Sequence, residues 1–436
     1  MAWNIEARYR AILPREFHSI PQLAKFDDAV LDEMDIVARV LPFKANSYVV
    51  NELIDWSRAP DDPIFALLFP NREMLSPRHF SELQVLIRAG ASDEQVRSAV
   101  HRIRRELNPH PGEQVQRNVP SLNGVRVEGL QHKYRETVLF FPKSGQTCHA
   151  YCAFCFRWPQ FVENGTMRMA LADSQVLAQY LRRHEEVTDL LVTGGDPLTM
   201  TTRRLATYLD PFLGSDLEHV QNIRIGTKAL SFWPSRFVAD DDADDLLRLF
   251  ERLSRAGRHV AVMAHFNHPV ELSTNVVRRA ISRIASTGAH ILSQSPVLRH
   301  VNDNPAIWSS MWKEQVRLGI QPYYMFVARD TGARQRFDLS LECALQIYQE
   351  AVRNVSGLAR TARGPSMSTS AGKIEIQGIT TIEREKVFLL SFIQARNPQW
   401  VRQPFLARFD ANASWFDDLK PAGGARQFFF QTPDGV

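Results

Sequence analysis

The feature that most constrains this chain is a run of three cysteines in one short segment. Cys148, Cys152 and Cys155 lie in the sequence CHAYCAFCFR with the spacing C-x3-C-x2-C, and they are three of the four cysteines in the protein. Thiolates at this density suit an iron–sulfur cluster or a zinc ion. A cubane cluster held by three cysteines leaves one iron without a protein ligand, and that iron can bind a substrate or a cofactor.

Zinc and buried core thiols are the alternatives to a cluster. A structural zinc ion takes four ligands, and the remaining cysteine, Cys343, lies far along the chain. His149 could complete a zinc site, but its side chain would be crowded between Cys148 and Cys152. The spacing therefore favours a cluster bound by Cys148, Cys152 and Cys155, with Cys343 as a buried thiol in a helix.

The composition is that of a soluble globular protein with a sizeable core, because 44% of the 436 residues are hydrophobic and 23% are charged. The net charge of +4 gives no argument for nucleic acid. No run of about 18 apolar residues is available to span a bilayer, and the first residues lack a signal-peptide pattern. Four cysteines do not make a disulfide framework. With an oxygen-sensitive cluster, these features lead us to expect a cytoplasmic protein.

The sequence pattern divides the chain into three parts. Residues 1–125 are helical and polar, with helical spacing over 23–40 and over 81–107, interrupted near Gly90, and they carry no chemical motif. We expect them to form a helical layer on the main domain. Residues 126–378 form that domain. Residues 379–436 contain many aromatic side chains that need cover, so we expect a C-terminal arm that packs on its own barrel or on a second subunit of a homo-oligomer.

The central part alternates short apolar runs with amphipathic segments, which predicts parallel βαβ units. The predicted strands are 137–141, 189–193, 223–227, 260–265, 290–294 and 322–326. The helical patterns lie near 173–184, 202–213, 241–256, 272–286, 304–317 and 339–354. Six such units predict an α/β fold with a partial parallel (β/α)6 barrel. In such folds the chemistry lies at the C-terminal ends of the strands, where the cysteines, Gly194-Gly195-Asp196, His265, Gln294 and Arg329 fall.

Several motifs carry a family resemblance. The Gly194-Gly195-Asp196 turn after the second predicted strand, behind a C-x3-C-x2-C loop, resembles the radical S-adenosylmethionine (SAM) enzymes, which hold the methionine amino group there. A longer ordered set looks like the lysine 2,3-aminomutase family and covers about 130 to 380. Its members are HKY at 132–134, YC and CFR in the cysteine loop, IRIG at 223–226, HFNHP at 265–269, QS at 294–295, LR at 298–299, VND at 301–303 and PYY at 322–324.

The resemblance implies a radical SAM, pyridoxal 5′-phosphate (PLP)-dependent 2,3-aminomutase, an isomerase that moves the α-amino group of a free amino acid to Cβ. It implies a [4Fe-4S] cluster, SAM and PLP as cofactors. An electron from the reduced cluster cleaves SAM, a hydrogen atom is removed from Cβ, and the nitrogen migrates while the PLP ring delocalises the radical. We expect an external electron donor such as flavodoxin or ferredoxin.

The resemblance also implies roles for single residues. Lys373 occupies the place of the lysine that binds PLP, although its segment 366–374 is rich in Ser and Thr and is longer than in the family. Arg157 matches an arginine that contacts the substrate carboxylate. The family's phosphate-binding arginine is replaced by Thr137, and Lys133 or Arg135 can compensate. Tyr134, His265 and Gln294 complete the expected cofactor-binding residues.

The substrate is predicted from two positions where lysine-specific members of the family carry acids. The register from the PYY segment places Arg329 at the first, and Arg363 lies at the second. An ammonium facing Arg329 would be repelled, whereas a carboxylate could form a bidentate pair worth roughly 1.5–3 kcal/mol. We therefore expect an acidic substrate, glutamate or aspartate. The alternative is that Arg329 points to solvent and that Asp330 takes an ammonium.

Two other functions stay open at this point. A radical SAM enzyme of the same family could work without PLP, by hydrogen abstraction from another substrate. A non-enzymatic protein with a metal knot is the third hypothesis, and zinc without iron in the purified protein would favour it.

Overall fold

The computed structural model describes residues 9–110, 116–162 and 169–431. The N-terminal part contains helices α1 (Asp28–Val40), α2 (Pro63–Leu68), α3 (Pro77–Arg88) and α4 (Asp93–Glu106). Ser76 and Ser92 cap α3 and α4 by accepting backbone N–H bonds. Gly90 adopts a positive φ of 67° between the two helices. The predicted pair of helices, interrupted near Gly90, is confirmed.

The N-terminal part packs on the main domain through a shared hydrophobic core. This core contains the buried faces of α1 to α4, including Val37, Phe65 and Ile103, together with main-domain residues such as Phe232 and Leu298. Ala150 and Trp158, which flank the cysteines, are buried in the same core. The N-terminal part therefore packs directly on the cysteine loop.

The main domain is organised by one sheet of eleven strands, which lie in the sheet in their sequence order. They are β1 (Leu130–Tyr134), β2 (Thr137–Phe140), β3 (Asp189–Val192), β4 (Asn222–Thr227), β5 (His259–His265), β6 (His290–Val297), β7 (Gln321–Val327), β8 (Arg363–Ser368), β9 (Gly372–Ile382), β10 (Glu385–Ala395) and β11 (Pro404–Arg408). Strands β2 to β8 are parallel, and the other neighbouring pairs are antiparallel. All six predicted strands are present, and β8 adds a seventh parallel strand.

A helix follows each of the first six parallel strands. These helices are α5 (Ser174–Arg182), α6 (Thr202–Leu209), α7 (Ala243–Arg255), α8 (Asn275–Ala285), α9 (Pro305–Arg317) and α10 (Leu341–Arg353). Side chains of Thr201, Thr274, Asn304 and Ser340 cap four of them at the N-terminus. The apolar faces of the helices and the sheet form the main core. The predicted α/β class is confirmed, with a large mixed sheet.

Short elements complete the described structure. Strands Ala11–Ile12 and Ala45–Asn46 pair with each other, as do Ser121–Leu122 and Val125–Arg126. Single helical turns lie at Pro159–Val162, Ala229–Phe232 and Arg334–Phe337. Within the described residues, no helix is long and apolar enough to cross a membrane.

The sheet continues through the boundary that we expected at residue 378, because that residue lies inside β9, which forms a hairpin with β10. The apolar run 387–392 lies in β10. The aromatic side chains of the tail, such as Trp400, Phe405 and Trp415, are buried against one another and against α10 of the same chain. This arrangement matches the alternative in which the arm packs on its own chain.

Candidate active site

The cysteine loop follows β2 and lies against the Gly194-Gly195-Asp196 turn that follows β3. The backbone N–H groups of Gly195 and Asp196 donate to the carbonyls of Gly145 and Thr147 over 3.1 and 2.7 Å. A Cβ atom on Gly195 would overlap the Thr147 backbone. The absence of a side chain at Gly195 thus lets the cysteine loop approach the turn closely.

The carboxylate of Asp196 is buried, and both of its oxygen atoms accept hydrogen bonds from the protein. It accepts hydrogen bonds from the backbone N–H groups of Leu198 and Lys228, from the Thr227 hydroxyl and from His149 Nε2, all between 2.8 and 3.1 Å. These bonds join the cysteine loop to the ends of β3 and β4. Asp196 thus fixes the turn against the cysteine loop.

The three thiols of the loop influence one another electrostatically but do not crowd together. Burial raises the pKa of Cys148 well above its usual range and that of Cys152 to about 12. The three sulfur atoms do not all lie within 4.8 Å of one another. One zinc ion with Zn–S bonds near 2.3 Å would hold them about 3.8 Å apart. The open arrangement fits a cluster, which gives each thiolate its own iron.

His265 and Gln294 are neighbours on the same face of the sheet. His265 is the last residue of β5 and pairs in register with Gln294, which lies inside β6 rather than after it. The His265 ring stacks on Phe154 of the cysteine loop, with ring centres 5.7 Å apart. Burial lowers the pKa of His265 to about 3, and its Nδ1 atom is buried without a hydrogen-bond partner. A neutral imidazole with an unpaired nitrogen is thus available to a ligand at the cysteine loop.

Lys373 lies inside the sheet and not in a solvated loop. It is the second residue of β9, and its Nζ atom lies 3.8 Å from the centre of the Tyr324 ring. Burial, reinforced by nearby Arg224 and Arg363, holds the pKa of Lys373 well below its usual range. In the described part of the chain, no carboxylate bonds to this amine. A partly buried lysine whose pKa is lowered in this way is a better nucleophile for an aldehyde than an exposed lysine at the same pH.

A basic cavity of about 140 Å³ lies between the start of β1 and the turn that joins β8 to β9. Among its described lining residues there are five cations and no carboxylate; the cations are Arg117, Lys133, Arg157, Arg329 and Arg396. Tyr134, Phe141, Phe156 and Ser368 are also part of the lining. The cavity therefore suits an anion.

Arg157 and Arg329 both line this cavity. The guanidinium of Arg157 stacks 4.3 Å from the Phe141 ring, and its Nη1 atom is buried without a hydrogen-bond partner. Burial lowers the pKa of Arg157 to about 10. Arg329 donates to the Ser368 carbonyl over 2.7 Å. Asp330, the alternative partner, does not line the cavity and bonds instead to His110 over 3.0 Å.

The other predicted residues divide between two places. Lys133 and Tyr134 line the basic cavity, and Lys133 donates to the Thr369 carbonyl. Arg363 does not line the cavity; its guanidinium lies 4.4 Å from the Tyr324 ring, which also contacts Lys373. The site therefore has two parts. One is the basic cavity, and the other is the interior around Tyr324, which contains the Lys373 amine.

The structure distinguishes the two residues that we expected to compensate for Thr137. Thr137 itself is buried and donates to Asp189 over 2.9 Å, so it contributes nothing to the cavity. Arg135 is exposed at the turn between β1 and β2, whereas Lys133 lines the cavity. Lys133 is therefore the better placed of the two.

Four residues that lie outside the family motifs also reach the site. Arg117 and Arg396 supply two of the five cations of the cavity. Tyr9 and Lys44 donate to backbone carbonyls of the cysteine loop. No local pattern marks these side chains, because they reach the site only through long-range packing.

Comparison with known proteins identifies the family to which the chain belongs. No protein-family model matches the chain. The chain is 32% identical over 387 residues to a putative L-lysine 2,3-aminomutase of Aquifex aeolicus, covering 88% of this chain and 90% of that one. It is 28% identical over 250 residues to L-lysine 2,3-aminomutase of Escherichia coli, covering 56% and 68%. It is 27% identical over 212 residues to glutamate 2,3-aminomutase of Clostridioides difficile, covering 49% and 47%.

Among solved structures, a radical SAM methyltransferase from Sphaerobacter thermophilus matches with a TM-score of 0.36 at 16% identity, covering 54% of this chain and 68% of that one. That similarity is too low to carry an argument. The similarity to the Aquifex aeolicus protein extends over nearly the whole of both chains. It shows that the chain belongs to the lysine 2,3-aminomutase family of radical SAM enzymes.

Proposed function

We propose that this enzyme is a PLP-dependent radical SAM 2,3-aminomutase whose substrate carries a distal anion, most simply glutamate or aspartate. The observation that carries the proposal is the basic cavity, which has five cations and no carboxylate among its described lining residues. Ser368, which lines the cavity, pairs in register with Lys373 on the adjacent strand. One site thus combines an amine for PLP with a surface that attracts anions and repels ammonium groups.

The cysteine loop fits an iron–sulfur cluster. Cys148, Cys152 and Cys155 would be its ligands, each thiolate bound to a separate iron. Cations lie around the loop: Lys44 Nζ bonds to the Cys148 carbonyl over 2.6 Å, and Lys228 lowers the pKa of Cys152 against the effect of burial. These charges favour thiolates and a negatively charged cluster.

The residues next to the cysteine loop fit SAM. The Gly194-Gly195-Asp196 turn presents backbone groups beside the loop. His265 offers a buried, unpaired nitrogen on the other side, where its ring stacks on Phe154. These groups would position SAM against the iron that lacks a protein ligand. An external donor such as flavodoxin or ferredoxin would supply the electron.

The interior around Tyr324 and the basic cavity fit PLP and the substrate together. Lys373 would bind the aldehyde, Lys133 and Tyr134 would hold the phosphate, and Arg157 would bind the substrate α-carboxylate. Arg329 would contact the distal anion in the cavity, whereas Arg363 does not line the cavity and lies beside Tyr324. When bound, the cluster with SAM supplies hydrogen abstraction, and PLP supplies the delocalisation that lets nitrogen move from Cα to Cβ. The chain itself binds, orients and excludes water.

We also infer that the sheet curls into the partial (β/α)6 barrel that the sequence predicts. Strand β1, at one edge, contacts β10 near the other edge. Lys133 on β1 bonds to the Thr369 carbonyl at the end of β8. This curvature supports a single enclosed site at the C-terminal ends of the parallel strands.

The test is an anaerobic assay of the reconstituted enzyme with SAM, PLP and a reductant. Lysine, arginine, glutamate and aspartate are offered in parallel, and the β-isomers are quantified by mass spectrometry. We expect glutamate or aspartate to be converted. Conversion of lysine but of neither acidic amino acid would contradict the acidic substrate.

A PLP-independent enzyme of the same family is the second candidate, and Thr137 favours it. This residue stands where the family has its phosphate-binding arginine, and its hydroxyl is bonded to Asp189 away from the cavity. Borohydride reduction followed by peptide mapping separates the two candidates. A PLP adduct on Lys373 supports the first, and its absence from PLP-treated protein supports the second.

A further inference from the structure

Lys44 reaches the cysteine loop from the N-terminal part of the chain. Its Nζ atom donates to the carbonyl of Cys148 over 2.6 Å and lies 5.7 Å from the centre of the Tyr151 ring. The backbone of Lys44 accepts from the Tyr151 N–H over 2.8 Å. A single residue outside the main domain is thus bonded to the loop through both its side chain and its backbone.

The charge of Lys44 has no carboxylate partner among the residues that the structure describes. Among the residues that the structure describes, Lys44 Nζ forms one hydrogen bond, to the Cys148 carbonyl, and no salt bridge. A partly buried cation without a counter-charge costs free energy unless an anion is close by.

Two further contacts from the N-terminal part hold the same stretch of the loop. The Tyr9 hydroxyl donates to the carbonyl of His149 over 2.9 Å, and the Ala153 N–H donates to the carbonyl of Leu67 over 2.8 Å. These contacts fix the loop without adding charge. Of the contacts from Lys44, Tyr9 and Leu67, the contact from Lys44 is the one that places a positive charge beside a cysteine.

We propose that Lys44 is a positioning residue for the iron–sulfur cluster, and that its charge stabilises the reduced cluster relative to the oxidised one. The inference rests on the proposed cluster but not on PLP or on the substrate. Thiolate ligands give a bound cluster a negative charge that increases on reduction, so a nearby cation raises the reduction potential. Lys44 would thereby make the electron easier to accept from the donor.

The test compares three substitutions that separate charge from hydrogen bonding. Lys44→Arg keeps both, Lys44→Gln keeps a neutral donor, and Lys44→Met keeps neither. Each full-length protein is reconstituted anaerobically without SAM or amino acid. Iron content is measured, and the midpoint potential is followed by electron paramagnetic resonance during a redox titration. Lys25→Met, at an exposed lysine of the same part of the chain, is the matched control.

We expect the Arg variant to keep the wild-type potential, and the Gln and Met variants to shift it to more negative values. We expect Lys25→Met to change neither quantity. If the Gln and Met variants bind no iron while the Arg variant does, the requirement for charge is also supported. A wild-type potential in both neutral variants, or an Arg variant that shifts or loses iron as the Met variant does, would overturn the proposal. Wild-type protein without iron would instead refute the cluster itself.

Discussion

His149 Nε2 lies 3.1 Å from Asp196 Oδ2, and both side chains are almost completely buried. This hydrogen bond joins the cysteine loop to the turn after β3. His149 therefore serves the loop as a tether. That role accounts for a histidine between two cysteines without making it a metal ligand, as the zinc alternative would require.

Asp196→Asn should loosen the cysteine loop. The amide has one acceptor oxygen in place of two, so at least one of the backbone N–H groups of Leu198 and Lys228 loses its partner. We expect a loss of about 1–3 kcal/mol in the free energy of unfolding, together with lower iron content after reconstitution. Urea denaturation and iron analysis measure the two effects. Asp216→Asn, at an exposed carboxylate, is the control, and equal behaviour of the two variants would contradict this role.

Gly195→Ala should displace the cysteine loop. The added methyl group would overlap the backbone of Thr147. Because Thr147 directly precedes Cys148, the cysteine loop would have to shift. We expect loss of most bound iron and a destabilisation of more than about 1 kcal/mol. Gly214→Ala is the matched control, because a Cβ atom there meets nothing within 4 Å. Normal iron loading of Gly195→Ala would show that the close approach is not required.

Replacing Cys148, Cys152 or Cys155 by Ala should abolish cluster binding and SAM cleavage, because each is expected to ligate a separate iron. Cys343→Ala should leave both intact, since this residue lies in α10 and packs beside the main core. Iron and sulfide analysis with optical spectra provides the measurement. A Cys343→Ala protein without its cluster would refute the assignment of ligands.

The low pKa of Lys373 predicts an unusual pH dependence of PLP binding. Since the folded protein lowers this pKa, the neutral amine that attacks an aldehyde forms at a lower pH than it does in an exposed lysine. We expect the rate of adduct formation, trapped with borohydride, to reach half its maximum at a lower pH than for an exposed lysine side chain. Lys373→Ala should form no adduct, and Lys386→Ala, at an exposed lysine, should behave as wild type. A midpoint at or above that of an exposed lysine would contradict the lowered pKa.

The regular elements of the main domain could be predicted from the sequence because their patterns are local. The strand around Val262, for example, is continuously apolar, and α7 follows a clear amphipathic period. The hairpin of β8 and β9 was missed because Ser, Thr and Gly dominate 366–372, a composition typical of loops. Their buried placement comes from pairing with β7 and β10, which no local pattern encodes.

The parts of the site that belong to a sequence motif could be predicted. The parts that reach the site only through tertiary packing could not. The cysteines and the glycine turn stand in fixed spacing, so their neighbourhood followed from the sequence. Lys44 and Arg396 come from distant parts of the chain and contact backbone carbonyls of Cys148 and Ser370, respectively. A carbonyl is present at every residue, so a bond to one leaves no mark in the amino-acid sequence.

Arg329 should determine the preference for an anionic substrate. Its guanidinium lies 4.9 Å from the Phe156 ring and lines the cavity together with Arg157. Arg329→Asp places a carboxylate where the substrate anion would bind, so it removes a bidentate pair worth about 1.5–3 kcal/mol and adds repulsion. We expect kcat/KM for glutamate or aspartate to fall by at least about 10-fold, which corresponds to 1.4 kcal/mol.

Two further variants make the substrate prediction specific. Arg329→Lys retains the charge but not the planar fork, so it should keep the preference for acidic substrates with a higher KM. Arg353→Gln, at an exposed arginine of α10, should leave all kinetic constants unchanged. The competition assay with lysine and glutamate gives the selectivity ratio for each variant directly. If Arg329→Asp keeps the wild-type ratio while its fold and its iron content are intact, Arg329 does not contact the distal group of the substrate.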